Sequence, residues 1–231
     1  MPHSNTTSTL KHFDHLARHW WNPDGPMKTL HQINPIRTQW ISNHLTAPQQ
    51  VCDIACGAGL LTEALDDAGH HMTGIDASPS LIQVAQAHAG NRTINYHHTT
   101  VESFAAQYPE HFDAITCLEL LEHVDNPQRM IQHCATCCKP GGLIFLSTLN
   151  RTLKAFILGI VVAEHLMNWV PKHTHQYEQF IRPSELKAWA HTQGLQLKDL
   201  TGLTLNPWTG HAALSKKIDI NYLMCFKKPL H

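Results

Sequence analysis

The sequence predicts an α/β fold in which a mostly parallel sheet carries helices on both faces. Three observations predict it. Short apolar runs alternate with stretches of helical periodicity between residues 51 and 147. Residues 51–76 read as a strand, a loop of small residues, a helix and a second strand. The run Lys139-Pro140-Gly141-Gly142 stops a helix sharply and leads into another strand. Repeated strand–helix units of this kind favour parallel pairing through crossover connections.

Taken in order, residues 1–9 are rich in Ser, Thr and Asn and are expected to be disordered. Phe13, Leu16, Ala17 and Trp20 share helical spacing, and Asn22-Pro23-Asp24-Gly25-Pro26 ends that helix. A second helix is expected over 34–45, with Pro35 at its first position. Strands are expected at 51–54, 72–75, 94–98, 112–118 and 143–147, and helices at 59–68, 79–89, 101–107 and 127–138. After Asn150 the pattern changes to an apolar helical segment and a polar, histidine-bearing loop, together spanning 152–185. A last helix at 183–193 and strands at 195–200 and 220–226 suggest an antiparallel hairpin closing the sheet edge. No repeat or linker interrupts the pattern, so residues 10–231 are expected to form one domain. The 152–185 insertion falls near the carboxyl ends of the strands, where open α/β sheets bind ligands.

Composition narrows the function. Charged residues are 15% of the chain and the formal net charge is −1, with no basic run or Arg/aromatic stripe, so a nucleic-acid footprint is missing. The 20 histidines are scattered. Seven cysteines (52, 56, 117, 134, 137, 138 and 225) lie mostly in apolar segments and, with no signal peptide, read as reduced thiols of a cytosolic protein. Cys134-Ala135-Thr136-Cys137-Cys138 lacks a second C-x-x-C and reads as helical packing rather than half a metal site.

Two groups of residues carry the chemistry. In the first, the small-residue loop at 55–59 precedes a helix whose N-terminal N–H groups can cradle an anionic group. Asp76 follows Gly57 by 19 residues, where an acidic residue at the end of the second strand can hold a ribose diol. The nicotinamide form of this loop, G-x-G-x-x-G, lacks its third glycine here, since Thr62 stands there. The second group is Glu119-Leu120-Leu121-Glu122-His123, directly after the fourth strand. On a helical turn, positions 119, 122 and 123 share a face, so two carboxylates and an imidazole would converge. They suit an open divalent metal site, a metal-free general base, or a merely solvated turn.

At this point the chain resembles the ubiquinone-biosynthesis O-methyltransferases, class I S-adenosylmethionine (SAM) dependent enzymes. The resemblance runs from about Phe13 to Phe226. It rests on WWNPDGPMKTLHQINPIR at 20–37, DIACGAG at 53–59, TCLELLEHV at 116–124, KPGGLIFLSTLNRT at 139–152, VPKHTH at 170–175 and GLTLNP with INY near the end. It implies a Rossmann-like methyltransferase fold with a seven-stranded sheet and an insertion after strand five. It implies SAM as cofactor, with Arg37 at the methionine carboxylate, Ala55 and Gly57 in the loop against that moiety, Asp76 on the ribose and Leu120 beside the donor. Glu119, Glu122 and His123 match positions to which Mg²⁺ is attributed, and Glu122 and His123 are the expected proton acceptors. The implied substrates are polyprenyl catechols and 3-demethylubiquinol, and the implied partners include a ubiquinone-biosynthesis protein complex. Ala55 departs from the motif glycine and would be tolerated only with φ below zero.

The remaining expectation concerns membranes. Residues 155–163 are a nine-residue apolar run, extended by Leu166, Met167, Trp169 and Val170 and flanked by Lys154 and Lys172. The stretch is too short and too interrupted to cross a bilayer, which needs about 20 apolar residues. Residues 152–172 suit peripheral contact with membrane lipids at the inner membrane, or a buried lid over the site. Three rivals stand: a nicotinamide oxidoreductase, a methyltransferase for another hydroxylated acceptor, and a non-catalytic quinone-binding protein.

Overall fold

A computed structural model describes residues 16–152, 155, 179–206 and 209–230. The expectations for the tail at 1–9 and for most of the insertion at 152–185 lie outside these residues. Six helices, α1 (Lys28–Ser42), α2 (Leu60–Asp67), α3 (Pro79–Ala89), α4 (Val101–Gln107), α5 (Pro127–Cys137) and α6 (Pro183–Thr192), flank one sheet among the described residues. Its strands are β1 (Gln50–Ile54), β2 (His71–Asp76), β3 (Asn95–His98), β4 (Phe112–Leu118), β5 (Cys138–Leu149), β6 (Gln196–Leu205), β7 (Ala212–Ser215) and β8 (Asn221–Lys227). The order is β3-β2-β1-β4-β5-β8-β6-β7. Strands β1 to β5 pair in parallel, while β8 is antiparallel to both β5 and β6. The expected seven strands are therefore eight, because β7 pairs antiparallel with β6 at the edge. Its four residues, Ala-Ala-Leu-Ser, carry too little β-branched or aromatic character to declare a strand.

The central strands are buried on both faces, which is why they read as apolar runs rather than alternations. One face of the sheet sends Cys52, Ile54, Ile115, Cys117, Ile144 and Leu146 against α4, α5 and α6. The other sends Val51, Met72, Ala114, Phe145 and Leu223 against Ile33, Trp40 and Ile41 of α1 and Leu61 and Leu65 of α2. All seven cysteines are free and buried, so the Cys134–Cys138 cluster is core packing.

Local signals fix most helix starts. Ser78, Thr100 and Asn126 each accept from a backbone N–H three residues on, and Pro79 and Pro127 take first helical positions. The second helix departs from expectation. It begins at Lys28, so Pro35 lies inside it rather than at its start. Burial of Ile33, Asn34, Arg37, Trp40 and Ile41 along its length outweighs the missing N–H of the proline. Of the segment expected as a first helix, Leu16 is helical and Ala17–His19 form a short 3-10 turn.

Candidate active site

The site lies at the carboxyl edge of the parallel strands, where β1, β2 and β4 end in loops. After β1 the chain turns through Ala55 (φ 57°), Gly57 (φ 58°) and Gly59 (φ 91°), all left-handed. Ala55 thus contradicts the expectation of a negative φ. The turn itself demands the conformation: Cys56 N–H donates to Ile75 O and Gly59 N–H to Cys56 O, both at 3.0 Å. An unbranched alanine accepts this at about 1–2 kcal/mol. At Gly57 and Gly59 a side chain is excluded for spatial reasons too. A Cβ on Gly57 would lie 2.5 Å from the Trp20 ring, and one on Gly59 would overlap the Tyr96 hydroxyl.

Side chains hold this loop from below and above. Buried Asp53 accepts from Thr62 Oγ1 and Thr116 Oγ1, each at 2.7 Å, tying α2 and β4 to the end of β1. Asp76, at the end of β2, accepts from Gly57 N–H at 3.0 Å through Oδ2 and from Ser78 N–H at 2.8 Å through Oδ1. Its carboxylate is therefore held against the loop. From above, Trp21 Nε1 donates to Ala58 O at 3.0 Å and its ring stacks on His88 with centroids 3.4 Å apart. Sequence reading recorded the Trp-Trp pair without foreseeing this strap across the loop.

Arg37 is buried, and its Nε donates to Asn34 Oδ1 at 2.9 Å; Asn34 in turn donates to Leu60 O. Burial lowers the guanidinium's pKa, opposed by the carboxylates of Glu119 and Asp53. α1 thus carries a positive charge to the edge where the glycine loop and β4 meet.

The second group is arranged differently from the expected helical face. Only Leu121–His123 form a 3-10 turn, while Glu119 stands before it at φ 55° and Leu120 caps it. Glu119 N–H donates to Ser147 O, pinning the end of β4 to β5. Glu119 Oε1 accepts from Ser147 Oγ at 2.7 Å and from Asn221 Nδ2 at 2.9 Å. Glu122 is buried and accepts from Thr148 Oγ1 at 2.7 Å. Burial and the adjacent Glu119 charge push the Glu122 carboxyl well above the ordinary range. His123 N–H closes the turn on Leu120 O at 2.8 Å. Among the described residues no three His, Cys, Asp or Glu are grouped so as to hold a metal ion. The shared face at 119, 122 and 123 is thus corrected, because left-handed Glu119 lies outside the turn. Ser147, Thr148 and Asn221, which sequence reading gave no role, are what hold the carboxylates. All three lie in the Ser-Thr-Leu-Asn-Arg and Ile-Asn-Tyr stretches.

Comparison with known proteins decides the family. A family model described as a methyltransferase domain matches residues 31–200. A ubiquinone biosynthesis O-methyltransferase from Xanthomonas campestris pv. campestris is 44% identical over 237 residues, covering 99% of each chain. One from Coxiella burnetii is 49% identical over 220 residues, covering 94% of each. This chain belongs to the ubiquinone biosynthesis O-methyltransferase family. Solved structures agree on the fold of this methyltransferase. The magnesium protoporphyrin IX methyltransferase of Synechocystis with bound SAH superposes with a TM-score of 0.69 at 18% identity, over 97% of this chain and all of that one. A SAM-dependent methyltransferase from Thermotoga maritima gives 0.69 at 13% identity, covering 94% of this chain and 98% of that one. The ubiquinone O-methyltransferase is therefore a SAM-dependent enzyme of the class I fold, and the nicotinamide rival falls away.

Proposed function

We propose that this methyltransferase transfers the methyl of SAM to a phenolic oxygen of polyprenyl catechol and of 3-demethylubiquinol. The observation that carries the reading is the pair of carboxylates, Glu119 and Glu122, at the end of β4 on the same sheet edge as the Asp76-braced glycine loop. Near-full-length identity to curated relatives named for ubiquinone biosynthesis supports the substrate class.

Each residue's part follows from its chemistry. SAM supplies a methyl on a sulfonium, already an activated electrophile. Gly57 and its neighbours would hold the donor's methionine part, the Arg37 guanidinium would suit its carboxylate, and Asp76 would accept from the ribose hydroxyls. Leu120, packed at the edge of the core, presents an apolar wall to the donor. A phenol loses its proton only near pH 10 in water, so the enzyme must remove it. Glu122, held by Thr148, takes that proton, with His123 beside it as the second acceptor. Alignment of phenolate with methyl and sulfur supplies most of the remaining acceleration. Glu119, Glu122 and His123 would offer Mg²⁺ two carboxylates and an imidazole beside water or substrate oxygens, yet among the described residues they make no metal group as arranged.

Peripheral membrane association through residues 152–172 and membership of a biosynthetic complex belong to the same proposal. Among the described residues no helix is long and apolar enough to cross a membrane. Labelled SAM with a short-tail polyprenyl catechol, with and without EDTA, is the test. Label in the catechol is the expected result; turnover indifferent to EDTA removes Mg²⁺, and label only in other hydroxylated acceptors removes the substrate.

A further inference from the structure

Asn221 opens β8 opposite Leu149 of β5, which brings it to the carboxyl edge beside the end of β4. Its Nδ2 donates to Glu119 Oε1 at 2.9 Å. That oxygen already accepts from Ser147 Oγ. A carboxylate oxygen accepts, so the amide nitrogen faces Glu119 and the amide oxygen faces away. The orientation is fixed by chemistry. Asn221 Oδ1 is then a buried acceptor that no hydrogen bond reaches among the described residues. Fewer than one in ten buried polar groups are left so, and an orphan of this kind beside a reaction site calls for a donor.

We infer that Asn221 Oδ1 accepts a hydrogen bond from the ring hydroxyl that neighbours the methylated oxygen, so that Asn221 reads the acceptor as an ortho-dihydroxybenzene. The inference rests on the phenolic-acceptor reading above and deepens it. The chemistry of the pair Glu119–Asn221 supports a hydroxyl in particular. Both present acceptor oxygens, and a hydroxyl has the proton they lack. A methoxyl or a bare ring carbon has none and would leave Oδ1 desolvated and unpaired. Sites built to bond a hydroxyl reject analogues lacking it far more strongly than apolar pockets reject a missing methylene. Asn221 is thus a specificity-determining residue, while proton removal stays with Glu122 and His123. Because β8 enters the sheet between β5 and β6, its first residue brings a carboxamide to the end of β4.

The test compares kcat/KM for a short-tail catechol and for the matching monophenol, in wild type, Asn221→Leu and Asn221→Asp. Wild type should prefer the catechol by about 100-fold or more. Asn221→Leu should cut that preference at least about tenfold, nearly all of it through the catechol. Asn221→Asp keeps an acceptor oxygen but meets Glu119 as a like charge, so it should lose rate on both substrates and keep most of the preference. Calorimetric binding of the two phenols to the S-adenosylhomocysteine complex gives the same ratio where turnover is too slow. An equal loss on both substrates in Asn221→Leu means that Asn221 only orients Glu119, and overturns the inference. A collapse of the preference in Asn221→Asp overturns it as well. A wild type that methylates neither phenol defeats the phenolic-acceptor reading itself, and this inference with it.

Discussion

Asp76 holds the glycine loop in the structure, and in the proposed reading it also takes the donor's ribose. Two backbone N–H groups hold its carboxylate at the glycine loop. Asp76→Ala should weaken S-adenosylhomocysteine binding by roughly 2–4 kcal/mol, since charge-assisted bonds are lost. Calorimetric titration showing undiminished affinity would remove Asp76 from the donor site. Ala55 is the complementary case. Its left-handed φ makes Ala55→Gly neutral to stabilising by up to about 1 kcal/mol, the relief of strain being partly offset by glycine's freedom when unfolded. A urea midpoint that falls clearly in Ala55→Gly would contradict that conformation. His70 sets a third expectation. It is buried, and burial followed by the neighbouring His71 lowers its pKa. The folded imidazole therefore binds a proton less readily than the unfolded one, so its penalty is absent above about pH 6.5 and grows as pH falls below it. Urea midpoints at pH 7.5 and 5.5 should differ less in His70→Leu than in wild type; identical differences would exclude His70 as a source of acid sensitivity.

At the scale of elements, what the sequence made legible followed from strong local signals. The five parallel strands and the four helices between them stand close to where periodicity placed them, because caps such as Ser78 and breakers such as Gly90 and Pro140 act over three or four residues. α1 was misplaced because Pro35 looks like a first-turn residue, and only tertiary burial shows that the helix runs through it. The loop, Asp76 and the Glu119–His123 run were visible as motifs. The hydrogen bonds of Glu119 to Ser147 and Asn221 were not, since their partners lie 28 and 102 residues away and meet only through strand order. The Trp21 strap likewise joins the entry segment to the glycine loop and α3 by contacts that no periodicity encodes. Trp21→Phe, which keeps the ring but loses the donation to Ala58 O, should cost about 1 kcal/mol of stability. Denaturation curves superposing on wild type would show that the strap holds by stacking alone.

At the scale of the whole molecule, the proposed reading has one sheet separate donor handling from acceptor handling. The β1 and β2 ends carry the loop and Asp76, while the β4, β5 and β8 ends carry Glu119, Ser147, Thr148 and Asn221. Arg37 on α1 sits within electrostatic reach of both sides. If residues 152–172 bring the enzyme to its isoprenoid substrate, liposome flotation with anionic lipid should retain wild type and release a Phe156→Glu/Ile160→Glu variant. Equal flotation by both folded proteins would confine that segment to a lid. The division of labour between the two sides of the sheet is the central claim, and Glu122→Ala tests it most directly. Methyl transfer from labelled SAM to a polyprenyl catechol and S-adenosylhomocysteine affinity are measured on the same preparation. The expected result is methyl transfer lost and affinity held within about threefold; wild-type turnover in Glu122→Ala would contradict the account.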